Sequence, residues 1–276
     1  MFKLFKTSFY KTNDCLILAV PLIIFMLFLD LYISFALNAA NSVFKIIFAV
    51  VTMLFLLSGC LASWFYLAKK TLALSDKVFV FENDRLRALI DLIWSLPRGV
   101  GRLFWSFLGC TSVCVFVYGL IFLLAFYIVD NFIIHFDVFH IELSNIFVTT
   151  GQLYQEINQL PNQQLLALDC WLLISAIFVL VFSFLLFLWI PEIVYSKKNF
   201  LLSLVRSVQK ILITFPKTLL LYIYILLLLL VVSIINTLLL FNPFLCFIVF
   251  LITYYLFLYV VVLVFSYYEQ TFLLEN

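Results

Sequence analysis

Six apolar runs, at 15–37, 43–68, 103–129, 170–195, 218–241 and 244–267, divide this chain, and each exceeds the roughly 20 residues a helix needs to cross a hydrocarbon core. Backbone amides and carbonyls find no water inside a bilayer, so runs of this length fold as helices that satisfy their own hydrogen bonds. The expected class is all-α: a polytopic integral membrane protein with six transmembrane helices, a single membrane domain over residues 1–276. Composition agrees, with 67% hydrophobic and 11% charged residues and a mean hydropathy of +1.23. A soluble domain is nearer half apolar and a quarter charged. An outer-membrane barrel would instead show short alternating segments of roughly ten residues.

Charge orients the set. Fifteen of the sixteen Lys and Arg residues fall in three segments, 1–14, 69–102 and 196–217, and only Lys45 lies elsewhere. The loop over 130–169 carries Asp130, Asp137, Glu142, Glu156 and Asp169 and no cation. Cationic loops stay on the cytoplasmic side, so both termini are expected in the cytoplasm. The first run is too long for a cleaved signal peptide and has no small-residue cleavage site after it. It is expected to remain in the mature protein. Trp64, Trp105, Trp171 and Trp189 lie near the expected span ends, where amphipathic rings favour the headgroup zone.

Two of the basic segments have helical periodicity. Over 83–96, Leu86, Leu89, Ile90 and Ile93 recur on one side, and Pro97 follows. Over 199–213, Leu201, Leu204, Val205, Val208, Ile211 and Leu212 form a stripe opposite Arg206, Gln209 and Lys210, and Pro216 follows. Such cytoplasmic amphipathic helices lie flat at an interface, apolar face down. The expected contacts to anionic headgroups are Arg85, Arg87, Arg98, Lys197, Lys198, Arg206 and Lys210. Each of these segments opens with a Lys-Lys pair and ends at a Pro-basic step, and Phe2, Phe5 and Phe9 among the N-terminal lysines suggest a degenerate third copy.

The run Ile190-Pro191-Glu192-Ile193-Val194-Tyr195-Ser196-Lys197-Lys198, followed by Leu201, Ser203, Arg206 and Ser207, resembles a pattern in bacterial six-span membrane families. There a span ends in Pro and aliphatics, and an amphipathic SxxRS-like helix precedes the next span. The YciC-type inner-membrane proteins and the glycerophosphodiester phosphodiesterase membrane-domain-like proteins have this look. Arg85 to Ile90, then Leu96-Pro97-Arg98, is similar to their earlier amphipathic unit, whereas Asn199-Phe200 stands where those families place a Gly after the turn. The resemblance implies an integral inner-membrane protein without a settled activity, and it carries over no catalytic residue.

Catalytic constellations are missing from the sequence. HExxH, GxSxG and CxxC do not occur, and Gly99-Val100-Gly101 is too short to cradle a phosphate. The expectation is no enzyme and no cofactor. Nucleic-acid binding is equally unsupported, because orientation and headgroup contact account for the cations. Among single residues Asp30 is the sharpest: a carboxylate within the first span normally faces protein or water. It is either a proton, cation or substrate site, with Asn236 as a polar neighbour, or a hydrated residue near the interface bonded to Asn38, Asn236 or backbone. His135, Asp137, His140 and Glu142 have metal-ligating side chains, but neither helical nor strand spacing brings all four to one face, and no metal is expected.

Glu192, behind Pro191, is expected to pair with Lys197 or Arg206 at a kink. Small residues four apart, Gly59 with Ser63 and Ser106 with Cys110 and Cys114, suggest that the second and third spans pack through these stripes. The scarcity of intramembrane polar groups favours a non-catalytic scaffold, assembly or lipid-organising component. Its expected partners are the bilayer's anionic headgroups and a membrane protein. The alternative is a small transporter or permease subunit working through a sparse site at Asp30.

Overall fold

The computed structural model describes residues 1–39, 43–75, 82–133, 161–196, 199–239 and 243–274, and among these there is no strand. The described helices are α1 (Phe2–Asp14), α2 (Ala19–Ala39), α3 (Val43–Ser75), α4 (Glu82–Ile93), α5 (Ser95–Phe132), α6 (Asn162–Leu186), α7 (Trp189–Ser196), α8 (Phe200–Ile213), α9 (Phe215–Leu239) and α10 (Pro243–Phe272). Among the described residues six stretches are long and apolar enough to cross a membrane: α2, α3, α4 continued by α5, α6 continued by α7, α9 and α10. The protein is an all-α, multi-pass integral membrane protein.

The spans sit where hydropathy puts them, but their helices run further. Helix α3 continues to Ser75, α5 starts at Ser95 and α6 at Asn162. Hydropathy marks where apolar side chains stop, whereas the i→i−4 ladder stops only at a breaker or a cap. Lys69, Lys70, Arg98 and Arg102 are all compatible with a helix, so the basic segments extend the spans.

A short helix, a break and a long span recur in that order three times. Helix α1 ends at Cys15, whose N–H reaches the Lys11 and Thr12 carbonyls, both at 3.0 Å, and a 3₁₀ turn over Leu16–Leu18 leads into α2. Trp94 separates α4 from α5, and Thr214 separates α8 from α9. Helices α6 and α7 form one span interrupted at Phe187. Pro191 has no amide to give to the Phe187 carbonyl four residues back. The Phe187 N–H turns to Phe184 O at 3.1 Å, and the ladder resumes with Glu192 N–H on Leu188 O at 3.1 Å.

The core lies toward the Lys/Arg-bearing ends of the spans. The rings of Phe107, Phe65 and Phe265 from α5, α3 and α10 stack nearly parallel, with centroids 5.7 and 6.0 Å apart. Helices α3 and α5 pack against each other as expected, and of the two glycines Gly99 and Gly59 it is Gly99 that is tight against the neighbouring helix. A Cβ there would lie 2.9 Å from Ala62 O and from Tyr66 Cβ. At Gly59 an added Cβ would meet only the Phe104 ring, at 3.9 Å. The Ser58 and Thr111 hydroxyls bridge the same pair of helices at 2.7 Å.

Two of the four tryptophans assigned to the headgroup zone are inside the protein. Trp64 and Trp189 are each 1% exposed. A buried indole N–H needs an acceptor, and carbonyl oxygens have a second lone pair to give. Trp64 Nε1 donates to Leu18 O at 3.0 Å and Trp189 Nε1 to Phe200 O at 2.9 Å. Each thereby pins a span to the segment beside a helix break. Trp105 is exposed.

Candidate functional site

The buried face of α8 is its serine face. Ser203, Ser207 and Ile211 are buried, while Leu201, Leu202, Val205 and Leu212 are exposed. Small side chains let this helix approach the bundle closely, and the bulky apolar ones are left outside. Helix α1 does the same with Leu4, Ser8 and Thr12. At about 100° per residue Lys210 shares the sector of Ser203 and Ser207, so burying the serines carries its ammonium inward.

There it meets Glu192 of α7, which is 2% exposed. Lys210 Nζ donates to Glu192 Oε2 at 2.7 Å and to the Tyr268 hydroxyl at 2.6 Å, and that hydroxyl donates to the same carboxylate oxygen at 2.5 Å. The ammonium also lies over the Tyr268 ring, 4.5 Å from its centroid. Glu192 thus pairs with Lys210, not with Arg206, and Lys197 lies outside the described residues. Lys210, expected at the headgroups, thus has a counter-charge supplied by the protein itself.

A second set adjoins the first. The Tyr195 hydroxyl donates to Glu269 Oε1 at 2.5 Å, and its ring stacks on Tyr268 at 5.4 Å. Lys69 of α3 sits 4.3 Å from the Tyr195 ring centroid and donates to Val194 O at 3.0 Å. Helices α3, α7, α8 and α10 are therefore tied together by charge-assisted bonds at the basic end. Chemically this is a self-satisfied cluster: a carboxylate, an ammonium and a phenol that bond to one another.

The remaining expected site residues do not converge. Asp30 of α2 and Asn236 of α9 are both exposed, and no hydrogen bond or ion pair joins either to another described residue. Arg87 is exposed on α4, Arg98 is exposed on α5 and lies 3.6 Å from Asp91, and Arg206 is partly buried on α8. The Arg85 side chain, Lys197, Lys198, and the set His135, Asp137, His140 and Glu142 lie outside what the structure describes. Sequence reasoning missed Tyr268 and Tyr195 altogether. The available signal was Ser203 and Ser207 with Lys210 on one face, opposite the bulkier residues.

No family model, curated protein or solved structure matches this chain, so no family is identified.

Proposed function

We propose that this chain is a non-catalytic component of the bacterial inner membrane, a scaffold, assembly or lipid-organising protein with both termini in the cytoplasm. The observation that carries the reading is the exposure of Asp30 on the outside of α2. A carboxylate inside a bilayer costs on the order of 2.5–3.5 kcal/mol and normally faces protein. No described residue covers or bonds to Asp30, so a donor on a partner membrane protein is the group that offsets this cost. The buried charges speak the same way: Glu192 and Lys210 satisfy each other, as structural groups do. The segregation of cations into three segments supports the cytoplasmic termini, and the likeness to six-span inner-membrane families accords with the location.

The test is extraction of the chain into native nanodiscs, with mass spectrometry of the proteins and lipids that accompany it. A stoichiometric membrane protein is expected with the wild type and is expected to be lost with Asp30→Asn. An empty protein list with no enriched lipid class would sink the reading. Loss of solute flux in Asp30→Asn with unchanged co-purification would replace it with a transporter.

A further inference from the structure

Trp94, Arg98, Arg102 and Trp105 lie at the junction of α4 and α5, and all four are exposed. Trp94 has helical dihedrals (φ −67°, ψ −13°), so the junction keeps the helical phase. At about 100° per residue the four side chains fall within one sector of roughly 80°, while Ser95, Gly99, Leu103 and Phe107 are buried on another side. Trp94 is 59% and Trp105 75% exposed. Gly101 lies between Arg98 and Arg102 along the chain and about 20° beyond the Trp94 edge of that sector, and a Cβ added to it meets nothing within 4 Å. The stripe is therefore open along that edge.

The two guanidinium groups are held differently. Arg102 Nη1 donates to the hydroxyl of Tyr66 at 3.0 Å, and its guanidinium carbon lies 5.9 Å from that ring's centroid. Tyr66 is itself buried on α3 and so fixes where Arg102 points. Among the described residues Arg98 pairs only with Asp91, at 3.6 Å, with both side chains more than half exposed. An exposed pair of that kind is worth little and exchanges readily for a better acceptor.

We propose that this stripe binds the phosphate of an anionic membrane phospholipid, an inference that rests on the lipid-organising reading above and gives it a residue-level site. The arginines stand one turn apart, about 6 Å along the axis, within joint reach of one phosphate, for which planar guanidinium forks are suited. The open edge at Gly101 leaves room for the headgroup beside the stripe. Trp105 lies at the start of the apolar stretch and covers the first acyl carbons, and Trp94 flanks the polar side, the arrangement in which indole rings favour an interface. The alternation of cations with exposed indoles at the mouth of a span selects a lipid over a soluble anion, which has no use for the rings.

The experiment titrates the full chain with phosphatidylglycerol and with phosphatidylcholine of the same acyl chains, reading bound lipid per protein by native mass spectrometry. The wild type is expected to prefer phosphatidylglycerol. Arg98→Gln with Arg102→Gln is expected to weaken that binding by about 25-fold, roughly fivefold for each cation near the surface, and to leave phosphatidylcholine unchanged. Gly101→Leu puts a bulky side chain on the open edge, where its Cβ meets nothing within 4 Å, so it is expected to weaken the preference at an unchanged melting temperature. A wild type with no preference, or variants that keep it, overturns the site. If the variants keep a preference that the wild type also shows, only this site fails. If the wild type retains neither lipid nor protein partner, the broader reading fails with it.

Discussion

The two halves of this bundle are held together by different means. At the basic end, Lys69, Glu192, Lys210, Tyr195, Tyr268 and Glu269 bond across four helices, the Thr218 and Tyr267 hydroxyls meet at 2.9 Å, and Trp189 ties α7 to α8. Toward the opposite end the cross-helix bonds described are few, among them Trp171 Nε1 to Phe122 O at 3.0 Å and the contact between the Tyr32 and Thr52 hydroxyls. Helix α9 is exposed at every residue from Ser233 to Leu238, more than a full turn, so the described residues cover no side of it there. The difference follows from the solvent. Lipid tails are as apolar as leucine, so burying leucine against protein gains little, and directional bonds or close packing must hold helices together. Polar side chains are affordable near water and costly in hydrocarbon, so the fixed half is the half that carries the charges.

Lys210→Ala should give the largest effect. It leaves the Glu192 carboxylate, 2% exposed, with the Tyr268 hydroxyl but no cation. Removing one partner of a buried pair costs about 3–5 kcal/mol. Equilibrium unfolding in mixed micelles should show a loss of that size, and the double variant Glu192→Leu with Lys210→Leu should recover most of it. A loss under about 1 kcal/mol would mean that the basic half does not depend on this cluster.

Gly99→Ala comes next, because its new methyl meets the Ala62 carbonyl at 2.9 Å and forces α3 and α5 apart. Overpacking of that kind costs about 1–3 kcal/mol. Gly59→Ala, in ordinary contact at 3.9 Å, should be neutral or slightly stabilising. Equal effects at the two glycines would show that the closest approach lies elsewhere.

The contrast between these glycines also shows how far the sequence could be read. Six spans and their basic flanks were legible because length and hydropathy are properties of the solvent a segment needs. The pairing of the second and third spans was legible too, as small residues four apart. Their point of contact was not: Gly59 and Gly99 look alike in a chain, and only the crossing of the helices distinguishes them. The inward turn of Lys210 was missed for a related reason. A stripe of leucine, valine and isoleucine suggests the buried face in water, whereas in a membrane the serine face is the one that packs. Trp64 and Trp189 were read by their distance from span ends, yet each had a carbonyl within the protein to bond.

A smaller effect is expected at Ser58. Its hydroxyl shares a 2.7 Å bond with Thr111, but Thr111 Oγ1 also donates to Phe107 O at 2.9 Å, so Ser58→Ala orphans no donor. Interhelical bonds in membranes average about 0.6 kcal/mol, and a change near that value is expected in the same micelle titration. A loss beyond about 2 kcal/mol would mean that hydroxyl bonds, and not the close packing at Gly99, dominate the α3–α5 contact.

The smallest effect tests the uncovered half directly. Asn236 is exposed within the bare turn of α9 and bonds to no described residue. Asn236→Leu removes an amide that has no partner among the described residues and adds a side chain at an exposed position. Its effect on the stability of the isolated chain should stay within about 0.5 kcal/mol. The same variant can still alter what co-purifies, because a partner that covers this turn would lose an amide to bond. Unchanged stability with a lost partner would assign the bare half to assembly. A loss of several kcal/mol in the isolated chain would mean that this turn is packed after all, and the contrast between the two halves would fall.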